Sequence, residues 1–219
     1  MLALSTSGAS TPASRWASSA PRCMWLAADS ITAGQPPVVL GVGRLVAQKD
    51  FPTLVRAFAR VRAARPARLL LLGEIKKAKR HRALEELIAE LGVADDVRLE
   101  GFVPNPLAYM KRSAVFALSS AWEGLPGALI EAMACGCPVV STDCPGGSAE
   151  ILQKGALGPL VPVRDPAALA DAILALLDEP TDPERLKARA AEFGLDASVN
   201  RYLEVLLGRA SISPKNSTS

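Results

Sequence analysis

One histidine, His81, serves the whole chain of 219 residues. A zinc centre built on several histidines is therefore excluded, and so is any Ser-His-Asp arrangement that needs a histidine elsewhere. Cysteines number four (Cys23, Cys135, Cys137 and Cys144). That is too few for a disulfide scaffold at this length and suits a reducing compartment. Aromatic residues make up 5% of the chain, and no apolar run reaches the length of a membrane-spanning helix. The formal net charge of +3 is too small to point to nucleic acid. With 49% hydrophobic and 21% charged residues, the chain is neither disordered throughout nor a coiled coil.

Residues 1–37 are rich in Ser, Thr, Ala and Pro, with no sustained apolar period. They read as a disordered or poorly packed leader, although Trp16 and Trp25 are unusual for one. They lack the basic start and apolar stretch of a signal peptide. Residues 209–219 read as a loose tail. The segment 38–208 between them is the expected folded domain.

Within that domain, short apolar runs alternate with helical patterns. VVLGVG (38–43), LLLLG (69–73), VRLEGF (97–102), AVFALSS (114–120), PVVST (138–142) and a weaker LVPV (160–163) predict about six strands. Most are apolar throughout, as strands covered on both faces must be. Helices are predicted over 51–65, 83–91, 127–135, 147–153, 167–178, 183–193 and 198–207. The alternation predicts an α/β, doubly wound, Rossmann-like parallel sheet flanked by helices. Ligands of such sheets bind at the carboxyl ends of the strands, so function is sought in the loops that follow them.

The first of these loops reads GVGRLVAQKDF. Arg44 and Lys49 stand close to a helix start, where cations and free backbone N–H groups attract an anion; solvated surface charge is the plain alternative. The dinucleotide motif G-x-G-x-x-G is broken at Val46. The loop after the fourth run carries Glu123, Gly124, Leu125, Pro126 and Gly127, and the next helix carries Glu131. Its glycines allow close approach of a ligand, and the helix start can hold phosphate. Glu131, one turn into the helix, is placed to accept from sugar hydroxyls. The two carboxylates also fit acid–base chemistry or simple solvated positions. Cys135 and Cys137 read as buried small residues before a strand, since no further ligands lie nearby except Cys144. The run Lys76, Lys77, Lys79, Arg80, His81, Arg82 reads as a solvated loop, with His81 exposed.

Together, VGRLVAQKDFPTLVRAF, ELGVADDVRLEGFV, the two glutamates of EGLPGALIE and EAMACGCPVVSTD resemble the carboxy-terminal half of a family-4 type (group 1) retaining glycosyltransferase of GT-B fold. The resemblance covers roughly residues 37–207. It implies that Arg44 and Lys49 meet the diphosphate of a nucleotide-sugar donor and that Glu123, the catalytic candidate, lies near the donor sugar. It implies that the backbone of Gly124, Leu125 and Pro126 faces the sugar and distal phosphate. Glu131 is then the ribose ligand, and Val103 sits where backbone meets the base. Such enzymes usually use no bound metal or other cofactor, and no D-x-D pair occurs here. Ile75 replaces a glycine and Ala149 a basic residue that relatives often carry. The expected partners are the nucleotide sugar and a sugar, lipid or glycan acceptor, with a separate amino-terminal half or self-association completing the cleft. Residues 1–37 are too short to be that half, which reads as truncation. The expected location is cytoplasmic, free or peripheral to the inner face of the membrane. A nucleotide-sugar epimerase of the same fold and a non-catalytic interaction domain are the alternatives.

Overall fold

The computed structural model describes residues 31, 34–74 and 77–207. Most of the predicted leader, with Trp16, Trp25 and Cys23, the tail, and the positions of Ile75 and Lys76 lie outside the described residues. Six parallel strands form one sheet in the order β3-β2-β1-β4-β5-β6. They are β1 (Val38–Val42), β2 (Arg68–Leu72), β3 (Val97–Gly101), β4 (Val115–Leu118), β5 (Val139–Thr142) and β6 (Leu160–Val161). The α/β doubly wound arrangement predicted from the alternation is present.

The apolar runs exist because both faces of the sheet are covered. Val39, Leu69, Leu71, Val115, Ala117 and Val140 point into one core, with α1 (Phe51–Ala64), α2 (Ala78–Glu90) and α6 (Pro166–Asp178). Their neighbours Val38, Leu40, Leu70, Leu72, Phe116, Leu118 and Val139 point into the other. That second core is shared with α4 (Gly127–Ala134), α5 (Ser148–Ile151) and α7 (Pro183–Ala191). Successive strand residues face opposite ways, so the central strands β1 and β4, covered on both faces, are apolar almost throughout, while the edge strand β3 carries Arg98 and Glu100.

Local signals set the helix ends. In α1, Phe51, Leu54, Val55, Phe58 and Val61 are buried at helical spacing, and Pro66 forces Arg65 into an extended conformation. In α6, the Asp165 carboxylate accepts from Ala167 N–H (3.0 Å) and Ala168 N–H (2.9 Å), with Pro166 in the first turn.

The expectations differ from the structure in three places. Helix α2 begins at Ala78, so Lys79, Arg80, His81 and Arg82 belong to a helix rather than a loop. Lys and Arg are good helix formers, and burial of Leu84, Leu87 and Ile88 anchors the turns that follow. His81 is partly shielded and its Nδ1 lies 3.2 Å from Glu85. A short helix, α3 (Pro106–Met110), was not predicted; Asn105 caps it. Finally, α8 (Leu195–Leu206) starts earlier than expected and leaves Leu195, Val199, Tyr202, Leu203 and Leu206 exposed on its surface. Among the described residues, no helix is long and apolar enough to cross a membrane.

The chain leaves β1 through α1 to β2 and through α2 to β3, moving one way across the sheet. It then returns to the other side of β1 and continues through β4, β5 and β6. The crevice where this order reverses lies between the carboxyl ends of β1 and β4.

Candidate functional site

The two loops that leave this crevice are the ones that carry Arg44 with Lys49 and Glu123 with Gly124. They are tied to each other by the backbone. Ala121 N–H donates to Gln48 C=O (2.8 Å), and the Ser119 hydroxyl donates to Lys49 C=O (2.8 Å). The first loop is seated against the next strand: Gly43 N–H donates to Leu72 C=O (2.8 Å) and Leu45 N–H to Glu74 C=O (3.1 Å). This seat requires glycine at position 73. A Cβ there would lie 1.8 Å from the Gly43 carbonyl oxygen, and the residue's φ is +150°.

Lys49 and Glu123 meet directly. The Lys49 ammonium donates to Glu123 Oε1 at 2.6 Å, with the two side chains 18% and 7% exposed. The same oxygen accepts from the Ser120 hydroxyl at 2.6 Å. Glu123 Oε2 accepts from Gln48 Nε2 at 3.3 Å, and that amide also donates to Trp122 C=O at 3.0 Å. Ser120 is fully buried and its carbonyl accepts from the Thr142 hydroxyl at the end of β5 (2.5 Å).

A third loop, after β5, closes on the Glu123 segment from the other side. Glu123 N–H donates to Pro145 C=O (2.9 Å), and Gly147 N–H donates to Gly124 C=O (2.8 Å). Any side chain at Gly146 would collide with this segment, because a Cβ would lie 2.1 Å from the Glu123 carbonyl oxygen. Gly124 and Leu125 are exposed above the crevice, while Pro126 is buried at the start of α4 and supplies no side-chain cap. The first N–H groups of that helix are thus available to an acceptor.

Arg44 is exposed on the same loop as Lys49 but is not part of the Glu123 cluster. Glu131 is exposed on α4. One turn further, the Cys135 thiol donates to Leu107 C=O of α3 at 3.7 Å. Burial pushes this thiol up from its ordinary range, the nearby Glu131 carboxylate adds to the shift, and Lys111 opposes it. Val103, just before α3, is half-buried against the second core. The structure therefore brings Lys49 and Glu123 together. Glu131 stands at the exposed surface of α4 near Cys135, and Arg44 stays at the loop surface. Cys137 and Cys144 are core residues, and burial pushes the Cys137 thiol up to about 12. Gln48, Ser119, Ser120, Thr142, Gly146 and Gly147 were not picked out from the sequence. Their only signal was small or polar residues at the ends of the apolar runs and in the loops that follow them.

A groove of about 410 Å³ between α1 and α2, lined in part by Phe51, Arg56, Arg80 and Leu84, borders the Lys49 loop at Val46 but includes neither Lys49 nor Glu123. The crevice has its polar side chains set in place by one another, and that arrangement, more than volume, indicates chemistry.

Comparison with known proteins is consistent with this geometry. Residues 36–179 match the family described as Glycosyl transferases group 1. The chain is 34% identical over 175 residues to an N-acetylgalactosaminyltransferase of Campylobacter jejuni that acts on a diphospho-undecaprenol substrate. That match covers 78% of this chain and 46% of the relative. It is 35% identical over 184 residues to a D-inositol 3-phosphate glycosyltransferase of Thermomonospora curvata, covering 78% and 42% of the two chains. In structure it is similar to a sucrose-phosphate synthase of Thermosynechococcus elongatus, with TM-score 0.72 and 29% identity over 85% of this chain and 49% of that one. It also shares the fold of the Anabaena protein HepE, solved with UDP and glucose, with TM-score 0.72 and 24% identity over 80% and 49% of the chains. The chain thus matches a little under half the length of each of these four proteins.

Proposed function

Because this chain belongs to the group 1 glycosyltransferases, we propose that its crevice binds a nucleotide-diphosphate sugar and takes part in transfer of the sugar to an acceptor with retention of configuration. The observation that carries the reading is the Lys49–Glu123 contact at the crevice between β1 and β4. It pairs a cation fit for phosphate with a carboxylate fit for sugar hydroxyls, at the position where sheets of this kind hold ligands.

In this reading Arg44 and Lys49 neutralise the diphosphate. Arg44 is exposed and free to swing, while Lys49 is pre-set by Glu123. Two cations meet the charge of a diphosphate, so the proposal includes no metal ion or other cofactor. The exposed loop of Gly124 and Leu125, with Pro126 and the start of α4, offers backbone N–H groups to the distal phosphate and sugar. Glu123 faces the sugar as the catalytic candidate, by stabilising charge that develops there. Glu131 accepts from the ribose hydroxyls, and the backbone at Val103 borders the base. The known complex of HepE with UDP and glucose supports a uridine nucleotide as the first probe. The acceptor is assigned only to the class of sugar, lipid or glycan, in line with the varied substrates that relatives' names carry. The cytoplasmic location read from cysteine usage stays part of the proposal.

Calorimetric titration tests the nucleotide part. The chain is expected to bind UDP and other nucleoside diphosphates, and to prefer them over their 2′-deoxy forms. A carboxylate that faces a missing hydroxyl is left underpaired, so Glu131→Ala should abolish that preference. A chain that binds no nucleoside diphosphate, or a variant with the preference intact, refutes the respective assignment.

A further inference from the structure

A carboxylate offers about four lone-pair positions on its two oxygens. At Glu123, two donors fill Oε1: the Lys49 ammonium and the Ser120 hydroxyl, both at 2.6 Å. Oε2 accepts from the Gln48 amide at 3.3 Å, which leaves about one position on that oxygen. The donors are themselves held. Ser120 is fully buried, and its carbonyl is bound by the Thr142 hydroxyl. The Gln48 amide nitrogen faces two acceptors, Trp122 C=O and Glu123 Oε2, which fixes its orientation. Glu123 therefore cannot turn without breaking bonds on both oxygens.

We propose that Ser120 and Gln48 are positioning residues for Glu123, an inference that rests on the reading of Glu123 as the residue facing the donor sugar. They hold the carboxylate so that the open position on Oε2 is presented to one hydroxyl of the sugar, while Oε1 keeps Lys49 anchored beside the diphosphate. Recognition of the sugar then depends on Ser120 and Gln48, whereas recognition of the diphosphate does not. Thr142 acts one step further back, by fixing the backbone from which Ser120 reaches Glu123.

The test compares sugar recognition with diphosphate recognition in the full chain. Calorimetry with UDP-, GDP- and ADP-hexoses and the matching diphosphates gives the gain in affinity that the sugar supplies. Ser120→Ala should cut that gain about tenfold and Gln48→Ala several-fold, with affinity for the diphosphate alone changed by less than about twofold. Gln48 lies on a surface loop, so its variant keeps the test valid if Ser120→Ala does not fold. In a Glu123→Gln background, Ser120→Ala should add little further loss, because the two act as one unit. An unchanged sugar gain in both variants overturns the proposal. So does an equal loss with and without Glu123, which indicates a purely structural role for Ser120. If the wild type gains nothing from any of these sugars yet binds the diphosphate, this inference falls while the phosphate reading stands. If it binds neither, both fall.

Discussion

Replacing Lys49 by alanine removes the ammonium from a carboxylate that is only 7% exposed and leaves it with the Ser120 hydroxyl and the Gln48 amide. Breaking one side of a fully buried pair costs about 3–5 kcal/mol, whereas surface pairs contribute about 0–1. With Lys49 itself 18% exposed, this pair falls between the two cases, and the expected loss is about 1.5–3 kcal/mol. For a chain of this size that lowers the melting temperature by roughly 3–12 °C. The cause is the stranded negative charge, so adding Glu123→Gln to Lys49→Ala should restore most of the stability. It should not restore binding, since the phosphate cation is still missing. Arg44→Ala makes the complementary case: Arg44 is exposed on its loop, so stability should be unchanged. Both single variants should bind nucleoside diphosphates about tenfold to a hundredfold more weakly. Urea unfolding followed by circular dichroism, with calorimetry at one fixed salt concentration, reads both quantities. A Lys49→Ala chain as stable as the wild type refutes the argument from the half-buried pair. Unchanged affinity in both variants refutes the phosphate role.

Two further outcomes follow from local geometry. Gly73→Ala forces a Cβ to within 1.8 Å of the Gly43 carbonyl, so it should destabilise the chain by several kcal/mol and displace the Lys49 loop. Gly92→Ala, with φ +68° and open space around it, should cost only about 1–2 kcal/mol; equal losses in the two variants by urea unfolding contradict the packing argument. Burial that pushes the Cys137 thiol up to about 12 leaves almost no thiolate at pH 8. Cys137 should therefore resist iodoacetamide in the folded chain and react on unfolding in urea, read by mass spectrometry of its peptide; rapid labelling of the native chain excludes the buried environment.

The sequence alone determined which segments become strands and helices, because a fully apolar run and a helical apolar period are local patterns. It also determined which loops carry the cations, the carboxylates and the glycines. It failed where local signals compete or are too short. The basic run before Leu84 looked like a solvated loop, yet helix propensity and the buried leucines behind it extend α2 back to Ala78. Helix α3 is only five residues long, too short to show a period. What only the tertiary structure decided is which loops meet. Lys49 and Glu123 are 74 positions apart, and they touch because β4 lies next to β1 where the winding of the sheet reverses. The partners of Glu123 follow from that strand order: Gln48 comes with the β1 loop, and Thr142 reaches Ser120 from β5. No local pattern encodes such contacts, since they arise from packing elements distant in the chain against one another.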